Sequence, residues 1–226
     1  TDAIGRDHKT MIFGQVALGT AVCDWLALFG IRPTAAIGYS LGESAALFGL
    51  RAWTDRDEML RRMEASTLFG SDLVKPFDAA RQVWDIPRGQ DVPWLSGVVD
   101  RSAEQVREAL QRRTRVYLLI VNTPTQCVIG GDRAQVEALV KDLQATFVPF
   151  PAPSTVHCEL LQPVSKAYVA LHLMPTTPPA GVDFYSAATG LPYGLSEQAA
   201  AGAILAQARD TVDFPQVINR AYADGV

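Results

Sequence analysis

The sequence predicts an α/β protein in two parts, a large part built on a parallel sheet and a smaller unit inserted into it. Three observations carry this. A short apolar run, Ala35-Ala36-Ile37, passes through Gly38-Tyr39-Ser40-Leu41-Gly42 straight into a helical pattern from Ser44 to Phe48. Strand followed at once by helix is the repeating unit of a parallel sheet with helices on its faces. Upstream, Ile12, Val16, Leu18, Val22, Trp25, Leu26 and Phe29 recur mostly three and four apart, so a helix precedes that strand. Residues 93–151 then read strand, helix, strand, strand, helix, strand, the split β-α-β unit. The expected division is 1–92 with 152–226 for the large part and 93–151 for the insert.

Gly30 ends the first helix as a cap and Arg32-Pro33 turns the chain into the strand Thr34 to Ile37. After the second helix, Thr54 is the expected cap for a third, with Asp55 and Asp57 in its first turn and Met59, Leu60 and Met63 along it to about Ser66. Residues 70–93, rich in Gly, Pro and Asp, predict short helical pieces at best. In the insert, Trp94 to Val99 is a strand and Ser102-Ala103-Glu104-Gln105 is a capping box for a helix to about Arg113. Val116 to Val121 and Gln126 to Ile129 are strands about the turn Asn122-Thr123-Pro124. Gly130-Gly131 predicts another turn, Asp132 caps a helix carrying Val136, Leu139, Val140 and Leu143, and Phe147 to Phe150 closes the unit, which is ferredoxin-like in element order. Beyond Pro151 and Pro153, a helix is expected from Glu159 to Leu173, a strand from Val182 to Ser186, an alanine-rich helix capped by Ser196 and a last helix capped by Asp213.

The chain has 226 residues, 48% hydrophobic and 19% charged, enough for a sizeable core. A net charge of -4, with Arg112-Arg113 and Arg115 as the densest basic spot, argues against a nucleic-acid surface. Three cysteines, Cys23, Cys127 and Cys158, without a C-x-x-C, predict free thiols in a reducing compartment, the cytoplasm, and no metal site. No uncharged run approaches a membrane span and no signal peptide is evident, so no membrane partner is expected. Thr1 to Thr10 lacks a Met and predicts a piece of a longer polypeptide.

The chemistry points to Ser40. Gly38-Tyr39-Ser40-Leu41-Gly42 fits G-x-S-x-G, the nucleophile elbow, in which a sharp strand-to-helix turn presents a serine hydroxyl; the large part is then α/β-hydrolase-like. The glycines are expected where strand, turn and helix backbones pass too close for a β-carbon. The Leu41 N–H, at the positive end of the helix, is the natural first oxyanion donor. A serine hydroxyl needs a base. Of three histidines, His8 lies in a polar, frayed terminal stretch and His172 is packed near a helix end. His157 lies where the chain returns from the insert, in the kind of interdomain cleft where substrates bind; a structural histidine is the competing reading.

Gly38-Tyr39-Ser40-Leu41-Gly42-Glu43 resembles the G-H-S-x-G-E signature of malonyl-CoA:acyl-carrier-protein transacylases and of acyltransferase domains in type I polyketide and fatty acid synthases. Gly30-Ile31-Arg32-Pro33, Asn122-Thr123-Pro124 to Gly130, Val156-His157-Cys158 and Phe184-Tyr185-Ser186 through Gly190 match further stretches of that family in order. The wider texture looks most like the acyltransferase domains of polyunsaturated fatty acid synthases. The resemblance implies that Ser40 attacks an acyl-CoA thioester with His157 as base, and that the phosphopantetheine thiol of an acyl carrier protein then takes the acyl group. No cofactor is held permanently, and the neighbours are other domains of a multidomain synthase. In the family a backbone carbonyl orients the histidine, and residues near Ser186 and Ala187 match that region.

Three departures follow. The family's G-Q-G segment, which supplies a second oxyanion donor, and its E-V-G-P segment have no match. Tyr39 replaces the histidine before the serine; its phenol, with Asn122 and Val156, is expected at the substrate. Malonyl-type members carry an arginine after the elbow, and counting without gaps from Ser40 that place is Ala65, with Arg61 and Arg62, one turn earlier, as the alternative under a shift of register. The expected acyl group is therefore uncharged. Transfer of the acyl group to water, and a non-catalytic docking domain, are the competing functions.

Overall fold

The computed structural model describes residues 7–226; the first six residues of segment 1–92 lie outside the described residues. Helix α1 (His8–Leu28) opens under Asp7, whose carboxylate accepts from the N–H groups of Lys9 and Thr10. His8, expected in a frayed stretch, thus sits in a capped first turn, with its Nε2 3.3 Å from the Ala152 carbonyl. α1 lies close along α2 (Gly42–Gly49): a β-carbon at Gly49 would stand 2.8 Å from the Cys23 sulfur. The expected apolar face is only partly used, since Leu18 and Trp25 are each 67% exposed. By length and composition alone α1 is long and apolar enough to cross a membrane, contrary to the expectation drawn from uncharged runs, which Lys9 and Asp24 interrupt in sequence.

Strand β1 (Ala35–Ile37) pairs in parallel with β6 (Asp183–Tyr185), with Ile37 opposite Tyr185. The third strand, β7 (Pro192–Tyr193), is antiparallel to β6, so this sheet is mixed rather than all-parallel. β7 escapes sequence reading because two residues starting with proline carry no periodicity.

The second sheet contains β2 (Trp94–Val99), β3 (Val116–Thr123), β4 (Gln126–Asp132) and β5 (Phe147–Pro149), with helices α5 (Ala103–Leu110) and α6 (Arg133–Asp142) between them. Its strand order is β5-β2-β4-β3-β8. The last member, β8 (Val212–Asp213), comes from the C-terminal stretch and pairs in parallel with β3. The sheet therefore draws four strands from 93–151 and one from outside. The capping box at Ser102 and the Asp132 cap are both present. Gly130 and Gly131, expected as a turn, lie inside β4. They are needed for close packing: a β-carbon at Gly131 would stand 2.1 Å from the Arg115 carbonyl oxygen, and one at Gly130 2.8 Å from both Leu119 and Trp94.

Helix α3 (Arg56–Ala65) follows under an Asp55 cap, not a Thr54 one, and α4 (Asp78–Val83) is a short helix in the Gly/Pro-rich stretch. The single helix expected over 159–173 is two: a 3₁₀ stretch, Glu159–Val164, then α7 (Ser165–His172). Pro163, which lacks an N–H, accounts for the break. Helices α8 (Glu197–Arg209) and α9 (Phe214–Ala223) carry the expected Ser196 and Asp213 caps. Leu47, Trp53, Leu161, Met174 and Phe184 are fully or almost fully buried in the core beneath the elbow helix.

Candidate active site

The elbow forms as a tight turn. Ser40 holds φ at 52°, a left-handed conformation that costs a non-glycine residue energy and clusters at functional sites. Gly38 is obligatory, because a β-carbon there would sit 2.0 Å from the Glu43 nitrogen. Gly42 is not required in that way: its β-carbon would meet nothing within 4 Å, so the close-approach reason applies to the first glycine alone. Behind the turn, the Glu43 carboxylate is 1% exposed and accepts from the Ala187 N–H and the Tyr193 hydroxyl, each at 3.2 Å. Burial raises its pKa to about 7, against the pull of those two donors. Glu43 thus ties the first turn of α2 to the β6–β7 connection.

His157 also carries a left-handed backbone, φ 64°. Its Nε2 lies 2.8 Å from Ser40 Oγ across 117 residues of chain. Its backbone N–H donates to the Ala208 carbonyl and its Nδ1 lies 2.5 Å from the Gln207 carbonyl. The last carbonyls of a helix lack intrahelical partners, and Gln207 and Ala208 stand in the last turn of α8. That helix end presents two free acceptors to one histidine. A carbonyl can only accept, so Nδ1 carries the proton and Nε2 offers its lone pair to Ser40. Burial lowers the His157 pKa to about 4, so the ring is neutral near pH 7. The orienting carbonyl is Gln207's, not one near Ser186 and Ala187; the Ser186 carbonyl accepts from the Gly190 N–H instead.

Gln207 also reaches the nucleophile. Its side-chain amide donates to the Ser40 carbonyl at 3.1 Å, while its own Oε1 is buried without a partner among the described residues. Sequence reading missed Gln207. An amide in the last turn of an alanine-rich helix carries no local mark of this role.

Tyr39 and Asn122 meet each other, the phenol donating to Asn122 Oδ1 at 2.7 Å, and the Tyr39 ring packs edge-on against Phe214. Val156 lines a cavity of about 160 Å³ beside Ser40, together with Val16, Leu41, Phe48 and Phe69. Ala65 does not. It is exposed at the end of α3, whose cavity-facing residues are Arg56, Met59 and Met63. Those positions share one helical face; Ala65, two residues past Met63, turns about 200° away. The position reached by counting from Ser40 therefore lies on the face of α3 away from the cavity. Arg61 and Arg62 are both held by Glu58, and the Arg62 guanidinium also donates to the Leu173 carbonyl at 2.8 Å. His172 is buried, its Nδ1 2.8 Å from the Tyr168 carbonyl, and burial lowers its pKa to about 4.

This fold is that of acyltransferase domains of modular synthases. The acyltransferase domain from the second module of the salinomycin polyketide synthase superposes with a TM-score of 0.75 at 21% identity, over 100% of this chain and 49% of that one. An acyl carrier protein S-malonyltransferase from Vibrio cholerae does so with a TM-score of 0.73 at 19% identity, over 97% and 69%. In sequence, the chain is similar to a polyunsaturated fatty acid synthase polypeptide of Thraustochytrium, 25% identical over 70% of this chain and 8% of that protein, so it spans a small part of that relative's length. No family model matches.

Proposed function

We propose that the chain is an acyltransferase that moves an acyl group from acyl-CoA to the phosphopantetheine thiol of an acyl carrier protein, within a polyketide or polyunsaturated fatty acid synthase. The observation that carries this reading is the 2.8 Å contact between Ser40 Oγ and a His157 ring fixed in its Nδ1–H tautomer. Ser40 Oγ attacks the thioester carbonyl carbon as its proton passes to His157 Nε2. The C–O bond forms, the C–S bond breaks, and the proton goes on to the CoA sulfur. The carrier thiol then reverses these steps on the acyl-serine, a ping-pong cycle. The Leu41 N–H, at the start of α2, stabilises the oxyanion. Tyr39 and Asn122, joined by their hydrogen bond, line the approach from the β3–β4 side, and Val156 packs beside the acyl group.

In the same reading, 93–151 is a ferredoxin-like subdomain set into an α/β-hydrolase-like one formed by 1–92 and 152–226. The protein works in the cytoplasm among neighbouring synthase domains, uses acyl-CoA as substrate and has no resident cofactor. The deciding experiment offers a radiolabelled acyl-CoA to the chain, isolates the acyl-enzyme and chases it with phosphopantetheinylated carrier protein or with buffer alone. Transfer of label to the carrier faster than its release as free acid is the expected result. Release at equal rates makes the protein a hydrolase, and absence of any labelled enzyme makes it a docking domain.

A further inference from the structure

The acyl-Ser40 reading leaves open which acyl group is carried, and the cavity beside Ser40 bears on that. Its two long walls are helix faces. Ser44 and Phe48 stand one turn apart on α2, just past Ser40, and Arg56, Met59 and Met63 share a face of α3. The Trp53 N–H donates to the Leu47 carbonyl at 2.9 Å, so α3 starts beside the end of α2. Phe48 stands on the order of 10 Å beyond the start of α2, and the exposed Arg56 lines the same cavity. Apart from Arg56 and His8, the lining is apolar or neutral. Met63 is 3% exposed, Met59 is buried, and Val16, Leu41 and Phe69 complete the wall. His172, on the same wall, shares its Nδ1 with a backbone carbonyl and stands over the Tyr168 ring at 4.6 Å. Arg61 and Arg62, the cations nearest Met63 in sequence, are engaged with Glu58 instead of the cavity.

We propose that this cavity seats the tail of an uncharged aliphatic acyl chain several carbons long, running from Ser40 along α2 between Phe48, Met59 and Met63. The proposal rests on the acyl-Ser40 reading and names its substrate class. A malonyl carboxylate would lie two carbons from the ester carbonyl, and Arg56, exposed in the first turn of α3, is the guanidinium among the cavity's lining residues. Against the apolar remainder of the lining, an ion that does not reach that guanidinium is strongly disfavoured. Methylenes, by contrast, leave water for apolar walls, and unbranched methionines adapt their shape to chains of differing length.

The test uses the full chain in two series. Self-acylation by malonyl-, acetyl-, butyryl-, hexanoyl- and octanoyl-CoA is followed by intact mass. Phosphonylation of Ser40 by alkyl fluorophosphonates of increasing chain length reads the same cavity without CoA. Rates should rise about threefold to fourfold per added methylene until the cavity is filled, in both series, with malonyl-CoA slowest. Met63→Arg should shift the malonyl-to-hexanoyl ratio at least tenfold toward malonyl, and Ala65→Arg, on the exposed face, should not shift it. Met63→Ala should move the optimum to longer chains. Rates independent of length in both series, or malonyl-CoA loading fastest, overturn the cavity assignment and leave the acyltransferase reading standing. Fluorophosphonate rates that climb with length while no acyl-CoA loads retain the cavity and remove the acyltransferase reading. Failure of Ser40 to react in either series sinks both.

Discussion

The side-chain amide of Gln207 donates to the backbone carbonyl of Ser40 at 3.1 Å, across 167 residues of chain. The same residue's carbonyl holds His157 Nδ1, so one position in the last turn of α8 constrains both the nucleophile's strained backbone and the base's ring. Gln207→Leu keeps the backbone carbonyl and loses the amide. Self-acylation should fall about tenfold, the effect of one hydrogen bond, with the lower limb of the pH–rate profile unmoved because the histidine keeps its partner. A profile displaced along with the rate means that the substitution disturbed the ring instead.

Ser40→Ala removes the hydroxyl that stands 2.8 Å from His157 Nε2. Acyl-enzyme should be undetectable by intact mass while the far-ultraviolet circular dichroism stays that of the parent. Undiminished labelling in this variant defeats the nucleophile assignment.

His157→Ala should slow acylation by roughly two to four orders of magnitude, the usual range for loss of a general base. His172→Phe, which removes a ring bonded to Tyr168 and not to Ser40, should cost far less. The reverse ranking of the two variants would identify His172 as the base.

The pH dependence of acylation should follow the lowered His157 pKa. A buried imidazole with a pKa of about 4 stays neutral and able to accept the serine proton from pH 8 down to near pH 5. The acid limb should therefore fall well below the ordinary histidine value of about 6.5. A midpoint at that ordinary value would mean that the ring is solvated in the working enzyme.

Glu43 and the two buried histidines pull stability in opposite directions. The Glu43 carboxyl is raised from 4.5 to about 7 in the fold, so its contribution is fully present below pH 4.5 and is lost as pH rises through 7. His157 and His172, lowered from 6.5 to about 4, contribute stability above pH 6.5 that is lost as pH falls through 4. Glu43→Gln removes only the first effect. Urea midpoints measured from pH 4.5 to 8 should show the parent losing ground to Glu43→Gln as pH rises. A constant difference across that range would show that Glu43 ionises freely in the native state.

What the sequence determined by itself is what short-range physics determines. The elbow follows from Gly38 and the strand-to-helix switch around Ser40. The caps at Ser102, Asp132, Ser196 and Asp213 follow from side chains that bond the N–H group three residues on. His157 was singled out by its place in the chain order. Long-range packing decided the rest. The pairing of Ser40 with His157, the Gln207 carbonyl, the parallel addition of β8 to β3 and the placing of Gly130-Gly131 inside β4 all depend on elements far apart in sequence. So does the face of α3 that meets the cavity. Helical periodicity places Met59 and Met63 on one side and Ala65 on the other, but which side turns toward the cavity is set by how α3 packs on α7, where the buried methionines leave water and Ala65 does not.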